Sequence, residues 1–280
     1  HVVTSDGGTD GRSGTIQLQT GTSSQGRSGA LELSTGHGQS GLASSGDISV
    51  TVGDSASGIA GDMIFAAGST SATETTVPSS GGTVAIVSGA SKEGNSGSVT
   101  ISSARGQLRS GDVRLQTGTA VELNSGVLAL STGFSADGSG GDVRVQVGSG
   151  NSGIGGAVRV TAGFSQPGAG GNVDITTGAS VASWSGDLNL GSADGLGRGG
   201  SGTVHLHSGS ASADDTGSLQ LATGQAAVAR SGDIVLAVGS SGSSDAGDVS
   251  IASGSSTSVD GRGGDVTVTS GFGHASTGTV

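Results

Sequence analysis

The sequence predicts an all-β protein, a parallel β-solenoid of about 18 stacked units of 15 residues. One unit per turn is favoured and two units per turn is the alternative. Three observations predict it. A short motif recurs along the whole chain, its apolar residues alternate, and glycine brackets nearly every copy.

The motif is clearest from Gly140 to Gly178, where a glycine pair, a short alternating segment and a closing glycine occur three times at 15-residue steps. The general form is [Ser/Gly]-Gly-x-φ-x-φ-x-[Thr/Ser/Val/Ala]-Gly, with φ an aliphatic residue, followed by about six residues rich in Ser, Gly and Ala. Its second glycine falls at Gly14, Gly29, Gly46, Gly61, Gly82, Gly97, Gly111, Gly126, Gly141, Gly156, Gly171, Gly186, Gly202, Gly217, Gly232, Gly247, Gly264 and Gly278.

The aliphatic residues come in pairs two apart, as in Val113/Leu115, Val143/Val145, Val158/Val160 and Leu219/Leu221. Period two places each pair on one face of a strand. Intervening residues such as Arg114, Arg144, Arg159, Asp174 and Gln220 are polar and are expected to face solvent. Helix is disfavoured, because no 3.6-residue pattern runs between the glycines.

A longer period overlies the short one. Val52-Gly53, Val147-Gly148 and Val238-Gly239 lie six units apart, and so do Ser103-Ala104 and Ser192-Ala193. The chain therefore reads as one continuous solenoid over 1–280, made of three super-repeats of six units at approximately 1–104, 105–193 and 194–280. Joined tail to head, Thr277 to Val280 and His1 to Gly14 match Ser185 to Gly202 in length and pattern. This predicts a chain cut from a longer repetitive polypeptide, with a subunit that completes a strand with its neighbour as the alternative.

In the predicted coil the glycines occupy corners, where φ is positive or backbones approach closely. The second residue after the corner glycine is often small: Ser23, Ser55, Ser91, Ser135, Ser165 and Ser180. That preference is the main reason for favouring one unit per turn, which gives a module about 86 Å long. Pro78 and Pro167 fall between strands.

Glycine supplies 59 of 280 residues, a level that also fits a flexible linker, but a linker has no need of spaced aliphatic pairs. Cysteine is absent, so disulfides and thiolate metal sites play no part. A formal net charge of −11 disfavours nucleic acid and opposes sideways pairing of sheets. No apolar run is long enough for a membrane span.

No catalytic, cofactor-binding or metal-ligating residue is assigned. Asp47, Asp62, Asp112, Asp142, Asp187, Asp233, Asp248 and Asp265 follow the glycine pair. They are expected to cap backbone N–H groups, Ca²⁺ on adjacent rungs being the alternative. Of the five histidines, His1, His37, His205, His207 and His274, the His205/His207 pair offers half a metal site with no evident third ligand, and all are expected to be solvated. With no Tyr, no Cys and one Lys, acid–base chemistry has few tools, so no enzyme and no cofactor are expected.

Phe134, Phe164, Phe272 and Trp184 lie beside glycines as edge plugs or contacts to neighbouring modules. The Ser69–Ser80 loop is the longest insertion, a place for glycans or for plain tolerated length.

The units SGDVRLQTG, SGDISVTVG and GGDVRVQVGSGNSGIGGAVRVTAG resemble very long Gly/Ser-rich tandem-repeat surface and filament proteins of algae and related protists. The resemblance implies an extracellular or cell-surface structural protein. The expected function is to form or extend a fibre, appendage or sheath by stacking copies end to end or side by side. An adhesin stalk or an ice-binding solenoid is the alternative.

Overall fold

The structure is a computed structural model that describes residues 1–9, 11–39, 44–71, 79–166, 168–273 and 278. Its contacts divide the chain into two units, His1–Arg144 and Val145–Val280. Pro78, Pro167 and His274 lie outside the described residues, as does most of the Ser69–Ser80 loop.

The expectation of an all-β parallel solenoid is overturned, with either number of units per turn. Among the described residues there is no strand and no helix. No side chain among the described residues is buried, and the aliphatic pairs meant for a core stand open to water. The physical reason is composition. Two aliphatic side chains per repeat are too little apolar surface to offset the conformational entropy of ordering fifteen residues, several of them glycine. The accessible surface is 28248 Å². A compact protein of this mass exposes roughly 10,600 Å² and its extended chain roughly 38,000 Å², so most of the apolar surface has stayed in water.

Local order persists within each unit, and the repeat governs it. In His1–Arg144 the second glycine of each repeat faces the side chain that precedes the closing glycine of the repeat before it. A Cβ placed on Gly126 would lie 3.7 Å from Thr117 Cγ2, and one on Gly97 would lie 3.4 Å from Ser88 Cβ. Val145–Val280 repeats the arrangement, with Gly186 against Thr177 at 3.4 Å and Gly171 against Ala162 at 3.5 Å. Fifteen of the eighteen second glycines are placed this way, and Gly14, Gly111 and Gly202 face Thr4, Ser103 and Ser192, which are followed by Ser or Ala instead of glycine. Where valine stands in place of threonine the contact is close. A Cβ on Gly61, Gly156 or Gly247 would sit 3.0, 2.6 or 3.3 Å from the Cγ1 of Val52, Val147 or Val238.

The closing glycines behave differently from the corner expectation. Gly118, Gly148 and Gly178 have open space where a Cβ would go, and their φ is not positive. Their contribution is a backbone acceptor. Gly97 N–H donates to Gly89 O at 2.9 Å, Gly171 to Gly163 O at 2.9 Å and Gly186 to Gly178 O at 3.1 Å. Gly82, Gly264 and Gly278 donate in the same way to Gly68, Gly254 and Gly271. The segments 89–97, 178–186 and 254–264 are thus small closed loops. Positive φ is confined to glycines inside loops, as at Gly58 (94°) and Gly153 (85°), which hold the same position six repeats apart.

Serine fastens these loops from within. Ser23, Ser91 and Ser135 each accept from the backbone N–H three residues on, at Gly26, Gly94 and Gly138, over 3.0, 2.9 and 3.1 Å. Ser180 and Ser241 accept from Ser183 and Ser244 likewise. The sequence preference for a small residue here therefore reflects a hydroxyl that turns the chain, and it carries no information about a second thin strand.

Two outcomes follow from this geometry. In Gly156→Ala the new Cβ would meet Val147 well inside the 3.5–4.0 Å optimum between carbon atoms, so the 148–156 loop should open and its amide chemical shifts should move. Gly148→Ala should leave those beyond its immediate neighbours unchanged, and Val147→Ala should rescue Gly156→Ala. In Ser91→Ala and Ser135→Ala a net hydrogen bond of about 1 kcal/mol is lost, and exchange at Gly94 and Gly138 should accelerate about fivefold while distant loops keep their rates.

Candidate functional site

Each repeat presents two faces, and the exposures along 234–238 show them. Ile234 is 55 % exposed, Val235 81 %, Leu236 73 % and Val238 45 %. Residues in the aliphatic register are partly covered by their own repeat, and the residue between them is nearly bare. Period two thus holds locally although no ladder forms.

The outward register lets side chains two apart meet. Gln17 Nε2 donates to Gln19 Oε1 at 2.8 Å. Arg144 pairs with Asp142 at 2.8 Å, and Arg114 pairs with Asp112 in the same way one double-repeat earlier. Arg230 grips both oxygens of Asp233 at 2.8 and 2.9 Å. These pairs correct the expectation for the aspartates that follow the glycine pair. Among the described residues none accepts from a backbone N–H, and three of the eight are held by arginine instead. The ion pairs are all well exposed, a setting in which a pair is worth about 0–1 kcal/mol.

No group of three or more His, Asp or Glu that would hold a metal is gathered among the described residues. His205 and His207 lie together on the outward register of one repeat, both exposed. His207 Nδ1 lies 3.0 Å from Ser208 O. Trp184, Phe134, Phe164 and Phe272 are almost wholly exposed, so the expectation that they plug coil edges fails along with the coil. Further loops carry equally open apolar residues, among them Ile59, Leu108, Val121, Ile154, Val181, Val228 and Val259. Sequence reasoning passed over this second apolar series because its position shifts within the loop from repeat to repeat.

Among the described residues the side chains stand open to water. The arrangement offers recurring aliphatic pairs, a scatter of loop-borne apolar side chains and a polar outer register that includes Asp, Arg, Gln and His. No helix among the described residues is long and apolar enough to cross a membrane. No protein-family model, curated protein or solved structure matches the chain.

Replacing Asp233 by Asn should leave amide exchange and thermal behaviour within error of the parent, because an exposed ion pair contributes little. The check is a side-by-side comparison with Ser91→Ala, which should differ measurably.

Proposed function

We propose that this is a structural protein, a piece of an extracellular or cell-surface fibre, appendage or sheath built from copies of itself. One observation carries the reading. The chain leaves 28248 Å² accessible with every aliphatic pair in water. Aliphatic side chains left open to water in such numbers mark surfaces that other chains cover. Burial of a single Val or Leu is worth about 1.5–3 kcal/mol, and eighteen repeats present such residues in one register. Like copies carry the same spacing of aliphatic pairs and therefore match one another along their length.

Charge sets the conditions. At −11 per chain, copies repel. Salt screens that repulsion, with a Debye length of about 8 Å at physiological ionic strength. The net negative charge disfavours nucleic acid as a partner. The resemblance to Gly/Ser-rich surface and filament proteins agrees with an extracellular setting. Glycans on the Ser69–Ser80 loop are part of this proposal, as decoration that leaves the aliphatic register clear. The residue types on display do not favour catalysis.

Sedimentation velocity over a concentration series, with electron microscopy of the heaviest fraction, tests the reading. Elongated assemblies should appear above a threshold concentration, and added NaCl should lower that threshold. Val113→Asp combined with Leu115→Asp and with the matching changes at Val143 and Val145 should raise it at least tenfold, since 1.4 kcal/mol is a factor of ten. A chain that stays monomeric at millimolar concentration and high salt would refute the proposal.

A further inference from the structure

We infer that His205 and His207 form a two-imidazole seat for a late first-row divalent cation, Zn²⁺ or Cu²⁺. The argument starts from register. His205 and His207 stand three and five residues after Gly202, the second glycine of their repeat. Gln17 and Gln19 stand at the same two positions after Gly14, and their side-chain ends meet at 2.8 Å. The backbone of the repeat therefore allows side chains at these positions to meet. Two imidazole nitrogens on one tetrahedral zinc, each about 2.0–2.1 Å from the metal, lie roughly 3.3 Å apart. That separation is within what this register already achieves.

The protonation pattern of His207 fits the role. Its Nδ1 lies 3.0 Å from the carbonyl oxygen of Ser208. A carbonyl can only accept, so Nδ1 carries the proton and Nε2 of the neutral ring keeps its lone pair outward. A second hydrogen bond of this kind is what orients metal-bound histidine and strengthens it as a ligand. His205 makes no hydrogen bond or ion pair with any described residue, so neither ring nitrogen is engaged. Val204 and Leu206 occupy the other register and leave the imidazole face clear. Two nitrogen ligands on an open surface leave the remaining coordination positions to water. Imidazole selects late transition ions over Mg²⁺ and Ca²⁺, which prefer oxygen.

Isothermal titration of the full chain with ZnCl₂ and with CuCl₂ tests the inference. A His1→Gln background removes the imidazole that would chelate a cation together with the amine of residue 1. One ion should bind per chain, Cu²⁺ more tightly than Zn²⁺. His205→Gln and His207→Gln should each weaken binding at least about tenfold, and His37→Gln should leave it unchanged. All three sites are exposed, so these variants perturb no packing. In proton NMR, the ring signals of His205 and His207 should shift together on adding zinc. Undiminished binding in the His205→Gln/His207→Gln double variant, or no binding of either ion by the parent, overturns the inference.

Discussion

The arrangement of this chain depends on one steric constraint, the approach of a glycine to the side chain nine or so residues before it. Gly126 lies against Thr117, Gly186 against Thr177 and Gly156 against Val147. The approach draws the ends of a Ser/Gly-rich loop together, and at Gly82, Gly97, Gly171, Gly186, Gly264 and Gly278 the glycine N–H reaches the carbonyl of the closing glycine. A β-carbon added at Gly156 or Gly61 would crowd Val147 or Val52, whereas one added at Gly126 would rest in ordinary contact with Thr117. The restriction of the facing position to Thr, Ser, Val and Ala has the same origin. A longer side chain there would hold the loop open.

That closure is local, and it has consequences for the surface. A loop pinned by one backbone bond and one serine hydroxyl needs no core beneath it. The alternating segments between loops therefore keep their aliphatic residues in water, and the outward register forms short-range pairs such as Gln17/Gln19 and Asp142/Arg144. Each repeat is a self-contained piece with an apolar side it cannot cover, joined to others of the same kind. The proposed role in a fibre or sheath and the proposed seat at His205/His207 draw on the two opposite registers of this one piece.

Much of this was legible from residues alone. The eighteen glycines, the alternation of Val113/Leu115 and the placement of Ser91 and Ser135 are all visible as spacing, and the structure gives each a physical meaning. The meaning differed from the expectation in two respects. Ser135 is small because its hydroxyl accepts from Gly138, a short-range bond that spacing does not distinguish from a steric demand. Asp142 follows the glycine pair and turns to Arg144, a choice between backbone and side chain that composition leaves open. The open apolar residues of the loops, from Ile59 to Val259, had no fixed register to betray them.

The amino-acid order by itself determined the unit: where each loop closes, which residue faces the glycine, and which side chains share a face. These follow from contacts within about fifteen residues, over which chirality, side-chain size and period two decide the outcome. Only the tertiary structure decided whether the units make a common core, and it decided against one. That question turns on the balance between apolar surface removed from water and the entropy of ordering the whole chain. A periodic sequence shows where aliphatic residues recur, but the balance depends on how much of them a single chain can cover, and with two per repeat it leaves them in water.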